Sequence, residues 1–565
     1  MTRVLGVLCL LSVAFVAPAQ AVETEGIGEN ITHLKNLAYP ELHAPNQTNA
    51  GTDLEFATIT VTGPGATTVA PAPAPIATAT PTEPGAPATP APGAGGPTGS
   101  ASPGAKPAPV FRKPRACRKL RSASRGSKRR AVLRKRCKAA KRRQDARPRV
   151  AGIQRTFSFA GAYGDGLQVI DVTDPANARI VATWDCGISQ GDVQLFRRDD
   201  LGGRRFVTFT ADNGKRNLHE DSACVTDLRA KGFEIDPAQG GTFIAEITDP
   251  YNPTAVSFVG YRQGSHNMTV HPSGRYLYNS NSDLITSVLP AIEITDITDV
   301  TAPKSAGEFD LLTLPGIGTE SHDITFSPDG TRAAVAALSH GEVLDTTDPT
   351  APTRVSTIVD PTLNVWHQME SVTIKDPILG KRNFILAEDE VAGALGTGQC
   401  PNGGLHVYDA TGDLETAPVL VGYWNISDVG LTDTTLGTCT AHVFQIDHEQ
   451  QLMTIAFYNG GVRVVDLSGL VGVALGENGY GMRELGSFRF PDSDTWAVKA
   501  PKMSRDGFFL YGNDHARGFD VYEYKPGEAP ARAGRWMSAA QMNKAVVNFT
   551  GVTSGVLALC LRELQ

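Results

Sequence analysis

Leu167-Gln168-Val169-Ile170-Asp171-Val172-Thr173-Asp174-Pro175 is the stretch on which the fold turns. Aliphatic residues, several of them β-branched, run into an acid, and Thr-Asp-Pro follows. The run suits a short strand packed between neighbouring sheets. Asp-Pro ends it, because Asp accepts backbone N–H bonds and Pro cannot continue the ladder. The pattern returns as Phe243-Ile244-Ala245-Glu246-Ile247-Thr248-Asp249-Pro250, as Ile294-Thr295-Asp296-Ile297-Thr298-Asp299 and as Val343-Leu344-Asp345-Thr346-Thr347-Asp348-Pro349. Looser copies are Leu405-His406-Val407-Tyr408-Asp409, Val462-Arg463-Val464-Val465-Asp466 and Phe519-Asp520-Val521-Tyr522. Seven copies at spacings of roughly 50 to 75 residues fit four-stranded blades with variable loops, so the sequence predicts an all-β, seven-bladed β-propeller.

A second element precedes these strands. Ser321-His322-Asp323-Ile324-Thr325-Phe326-Ser327-Pro328-Asp329-Gly330 and Ser265-His266-Asn267-Met268-Thr269-Val270-His271-Pro272-Ser273-Gly274 each read as an innermost strand and a tight turn. The N-terminal counterpart, Gly51-Thr52-Asp53-Leu54-Glu55-Phe56-Ala57, has no second strand after it. The next strand candidate is Thr156-Phe157-Ser158-Phe159-Ala160. The first blade is therefore expected to be split, with residues 61–152 inserted in its first turn. Closing so long a surface loop costs little more than closing a short one. The alternative is a propeller that begins near Gly152, with Thr52 in an unrelated leader.

The Leu-Gln-Val-Ile-Asp and Gly-Val-Arg-Val-Val-Asp-Leu strands resemble the LVIVD-repeat family of secreted and surface proteins, over roughly residues 50–60 and 153–525. The resemblance implies a β-propeller and leaves its chemistry open.

The chain ends and the insertion carry other signals. Arg3, the apolar run Leu5–Val16 and Ala19-Gln20-Ala21 form a secretory signal over 1–21, which predicts a secreted or cell-surface protein. No later run is long enough for a transmembrane helix. Residues 22–60 make a leader and the first inner strand, 153–537 the remaining propeller, and 538–565 a tail of unassigned role. Within the insertion, Pro64–Pro109 is rich in Pro, Ala, Gly and Thr, has little to bury, and is expected to be an extended, disordered spacer. From Lys106 to Arg149 there are 20 Lys and Arg against one acid, Asp145. The formal net charge of −7 thus divides into +19 on this arm and −26 elsewhere. Such an arm fits an anionic cell-envelope polymer or glycan. It lacks the interleaved aromatics of a single-strand reader, so specific nucleic-acid recognition is not expected. Export permits disulfides, and proximity suggests Cys117–Cys137, Cys186–Cys224 and Cys400–Cys439, leaving Cys560 over.

Inner strands line a propeller's axis, so equivalent positions form a ring. Aligning on His322 gives Thr52, Gly191, His266, His322, Glu370, His442 and Lys499, with His367 just upstream at the channel mouth. Three imidazoles and a carboxylate make a candidate site for one transition-metal ion, Zn, Cu or Fe: His266, His322, Glu370 and His442, joined by His367. The competing expectation is polar residues that bond across the channel or to water. Glu388-Asp389-Glu390 reads as a solvated acidic loop, and His515 as a surface residue. No nucleophile elbow, phosphate loop or dinucleotide fingerprint is present. Two functions follow. One is a binding or adhesion scaffold, tethered by its arm and engaging a protein or small molecule with the propeller face. The other is a metal-dependent oxidoreductase or hydrolase.

Overall fold

All seven copies of the repeat fold as the third strand of a four-stranded antiparallel blade, and the seven blades complete a propeller. The computed structural model describes residues 26–43, 50–61 and 152–539. Excepted are 189, 213–217, 237, 282–289, 315–319, 391–402, 427–438, 477–480 and 528–535, and within 62–151 only scattered positions from 132 to 138 are described. The signal segment, the Pro-rich spacer, nearly all of the basic arm, Cys117, Cys137, Cys400 and most of the tail lie outside the described residues.

The repeat's acid has a structural use at the end of the third strand in five blades. The carboxylates of Asp171, Asp296, Asp345, Asp409 and Asp466 accept the backbone N–H two residues on, closing the turn. In four blades an arginine on the adjacent second strand reaches the same acid: Arg155 to Asp171, Arg204 to Glu246, Arg332 to Asp345 and Arg382 to Asp409. Between third and fourth strands every blade carries a register shift, as at Val169/Ile170, Val343/Leu344 and Val464/Val465. Such shifts sharpen the twist that lets blades fan about an axis. Aromatic side chains fill the wedges between blades; Trp366, Trp424, Phe206 and Phe243 are fully buried, and each burial is worth about 1.5–3 kcal/mol.

The inner strands are Gly51–Val61, Gln190–Arg198, Met268–Val270, Asp323–Phe326, Trp366–Asp376, His442–Asp447 and Thr495–Lys499, for blades 1 to 7. Blade 1 is split as expected: Gly51–Val61 is followed in its sheet by Ile153–Ala162. The alternative start near Gly152 is thereby set aside. The leader does more than the sequence suggested. Ile31–Leu37 forms the outer strand of blade 7 beside Gly518–Tyr524, and Ile27–Glu29 adds a fifth strand to blade 6. The ring is therefore closed by a blade built from both ends of the propeller sequence. At the other end, Met537–Ser538 pairs with the outer strand of blade 5. Cys186–Cys224 is a disulfide, and Cys439 is disulfide-bonded to a partner outside the described residues.

Candidate functional site

The first residues of the inner strands meet at one end of the channel. There the rings of His266, His322, His367 and His442 follow one another at centroid distances of 4.5, 4.3 and 4.2 Å, and Trp496 continues the row 4.2 Å beyond His442. Thr52 and Gly191 complete the ring, the Thr52 hydroxyl donating to the Gly191 carbonyl at 3.0 Å. Gly191 has φ +67° and a Cβ there would meet the Phe209 ring at 3.0 Å, so blade 2 offers no ring side chain and Gln190 turns in instead, 3.2 Å from His266 Nε2.

This ring corrects the sequence alignment in two blades. His367, not Glu370, is the blade 5 member, and Trp496, not Lys499, the blade 7 member. The cause is the backbone. A bulge lies between Trp366 and Met369, and another between Thr495 and Ala497. Each shifts the alternation of faces by a residue. Glu370 and Lys499 line the channel farther along. Glu370 bonds His448 Nε2 at 2.8 Å. Lys499 Nζ lies 2.7 Å from Asp53 and 2.9 Å from Glu55.

Each histidine of the row is anchored through Nδ1. His322 Nδ1 donates to the His367 carbonyl at 3.0 Å, and His442 Nδ1 to the Trp496 carbonyl at 2.7 Å. Carbonyls only accept, so in these two neutral rings the proton sits on Nδ1 and Nε2 keeps a lone pair. His266 Nδ1 faces Asp212 at 3.1 Å, and His367 Nδ1 faces Glu388 at 3.1 Å. Burial, and then the neighbouring imidazoles, push His322 and His442 well below the usual histidine range. Burial also lowers His367, against the opposing pull of Glu390 and Asp323.

The acid that meets these rings is Glu390. Its carboxylate oxygens lie 3.7 Å from His367 Nε2 and 3.7 Å from His442 Nε2, and Tyr458 donates to it at 2.8 Å. His442 Nε2 is buried with no hydrogen-bond partner among the described residues. Nδ1 held by a carbonyl or carboxylate behind the ring, with Nε2 turned to a common point, is the arrangement of metal-ligating histidines. The three ligand atoms of His367, His442 and Glu390 lie within 4.8 Å of one another. Glu388-Asp389-Glu390 is thus no solvated loop: all three residues are buried where the second strand of blade 5, Gly380–Asp389, runs out. A parallel exists in blade 2, whose second strand, Arg204–Ala211, also runs out into an acid, Asp212, that faces a ring histidine, His266 of blade 3. His515 is likewise no free surface residue, for its ring stacks 4.6 Å from Trp496.

From this ring a cavity of about 310 Å³ extends along the axis. Its lining alternates inward along each inner strand: Asp53, Asp192, Asn267, Asp323 and Gln368, then Glu55, Gln194, Thr269, Thr325, Glu370, Gln445 and Lys499. Burial, reinforced by Asp53, drives Asp192 well up, and burial drives Asp323 up to about 6. Glu55 is raised by burial and Lys499 is held cationic by Asp53 and Glu55, which outweigh its burial. The cavity is polar and carboxyl-rich, and His367, His442 and Trp496 are part of its lining.

Fold and site together define a seven-bladed β-propeller with a buried histidine–carboxylate cluster at the end of its channel. No family model matches the chain, and no curated protein does. Among solved structures, the chain is similar to the Pseudomonas aeruginosa periplasmic gluconolactonase at TM-score 0.43 and 12% identity, covering 67% of this chain and 97% of that one. It is also similar to a protein from Lactobacillus plantarum at TM-score 0.42 and 12% identity, covering 63% and 90%. A third is the Kuenenia stuttgartiensis hydrazine synthase, at TM-score 0.39 and 11% identity, covering 65% and 91%. Likeness at this level carries no argument about chemistry.

Proposed function

We propose that the protein is a metal-dependent enzyme of hydrolytic type, centred on His367, His442 and Glu390 and acting on a small polar substrate in the channel. The observation that carries this reading is the buried His442 Nε2, without a hydrogen-bond partner among the described residues and turned to a carboxylate shared with His367. Two imidazoles and one carboxylate fit Zn or Fe(II), with Cu the third candidate. A bound ion of this kind supplies a Lewis acid and an activated water. The chain's own residues do the rest. The Trp496 carbonyl and Glu388 fix the two rings, and Tyr458 holds Glu390. Asp323 stands in the cavity one residue beyond the row, where its carboxyl can pass a proton to or from a substrate. The test is elemental analysis of the mature protein from metal-replete medium, alongside Glu390→Gln and His442→Ala. One ion is expected at this centre in the parent, and either variant should bind one ion fewer per chain, with the β-sheet circular dichroism unchanged. A parent chain that takes up none of Zn, Fe or Cu on titration would remove the proposal.

The divided charge supports a second, compatible reading, in which the +19 arm holds the propeller on an anionic envelope polymer or glycan at the cell surface. Deleting residues 106–149 should abolish envelope retention, and retention in the parent should fall across a salt series. Salt-insensitive retention by the deletion variant would end it.

A further inference from the structure

A second group of metal-ligating side chains lies away from the channel row, where the N-terminal leader passes blade 2. His43 belongs to the segment between the strand that closes blade 7, Ile31–Leu37, and the inner strand of blade 1. Its Nε2 lies 2.6 Å from Asp185 Oδ1 and its Nδ1 faces Asp221 Oδ1 at 3.8 Å. The His219 ring stacks on it, 4.9 Å away and inclined by 24°. The ligand atoms of His43, His219 and Asp221 fall within 4.8 Å of one another.

The surroundings are built to hold this geometry. Asp185 precedes Cys186 of the Cys186–Cys224 disulfide, and its other oxygen accepts the Ala223 N–H at 3.1 Å, at the start of the helix Ala223–Ala230. The His219 N–H donates to the Gly187 carbonyl at 2.8 Å, and the Gly187 N–H to the Ser222 hydroxyl at 3.0 Å. On the leader side, the Leu42 N–H donates to Asp165 at 2.6 Å. A carboxylate can only accept, so Asp185 holds the proton of His43 on Nε2 and leaves the Nδ1 lone pair facing Asp221.

We infer that His43 Nδ1, His219 and Asp221 form a structural site for a divalent ion of zinc type, with Asp185 as the positioning residue of His43. Two imidazoles and a carboxylate suit such an ion, and Asp221 faces solvent, which leaves room for water at a fourth position. The ion would staple the leader, whose strand completes blade 7, to the disulfide-braced segment of blade 2. Binding to the folded state alone then stabilises the ring.

The probe is Zn²⁺ alone, titrated into the metal-free full chain and into His219→Gln, Asp221→Asn, Asp185→Asn and His442→Ala. The parent is expected to bind two ions. His219→Gln and Asp221→Asn should each lose one, and zinc should then raise Tm less than in the parent. Asp185→Asn should weaken the same site by roughly 10- to 100-fold. His442→Ala should lose the other ion, so failure of the channel centre and failure of this site give different stoichiometries. Zinc binding by His219→Gln and Asp221→Asn equal to that of the parent, in number and in Tm rise, would overturn the inference.

Discussion

From blade 3 to blade 6 the ring at the end of the channel is imidazole, with His266, His322, His367 and His442 in an unbroken row. From blade 7 through blade 1 to blade 2 the same position holds Trp496, Thr52 and Gly191, and the charged groups farther along are paired across the seam as Lys499 with Asp53 and Glu55. One repeat thus supplies two arcs of different chemistry. The first arc buries four imidazoles and turns the Nε2 atoms of His367 and His442 toward Glu390. The second spends its charges on holding blade 7, the blade made from two ends of sequence, to blade 1. A repeat scaffold can divide labour in this way because each blade contributes side chains to a common axis without altering its neighbours' backbone.

The sharpest way to break the comparison is at the closing seam. Lys499→Met leaves Asp53 and Glu55 facing each other in a mostly buried channel wall. Removing one partner of such a pair typically costs about 3–5 kcal/mol. Denaturant melts should show that loss, and the triple variant with Asp53→Asn and Glu55→Gln should recover most of it. Metal uptake should be unchanged in the triple variant, since the imidazole arc is untouched.

A smaller effect is expected at the seam between blades 4 and 5, which supports the imidazole arc from outside the channel. Burial alone would raise Asp360, but His406 at 3.2 Å, with Thr362 and with Tyr408 at 2.7 Å, outweighs it and holds the carboxyl well below its usual range. A depressed folded-state pKa adds stability above the unfolded value and loses it as pH falls. The parent should therefore lose stability as pH drops below about 4 to 5. Asp360→Asn should be less stable at pH 7 by about 1–3 kcal/mol and should show a flatter acid limb in the same melts. An unchanged acid limb would show that the seam does not depend on this charge.

The least effect belongs to the rim, where both arcs are alike. Arg332 lies 2.9 Å from Asp345 and 2.7 Å from Glu415, with all three partly exposed. Arg332→Ala should cost only about 0.2–1 kcal/mol, and thermal melts should place it well above Lys499→Met in stability.

Much of this architecture was legible in the chain. The third strands are local, short and ended by an acid with its own turn, so each announces itself within ten residues. The missing second strand after Phe56 told of the split first blade for the same reason. The site was half legible. His266, His322 and His442 were found because each stands at the start of its inner strand, ahead of any bulge, whereas Glu370 and Lys499 were aligned across bulges that no local pattern marks. Glu390 was missed because a run of three acids reads as solvated unless it is known to close a buried strand.

The sequence by itself determined the blade count, the strand order within each blade and the charge division, because these depend on neighbours along the chain. Tertiary structure alone decided three things: which residues share a layer of the channel, the closing of blade 7 by Ile31–Leu37, and the meeting of Glu390 with His367 and His442. Period-two alternation fixes the face a residue takes but not its height along an axis, and bulges reset even the face. Contacts between residues hundreds of positions apart leave no trace in local pattern.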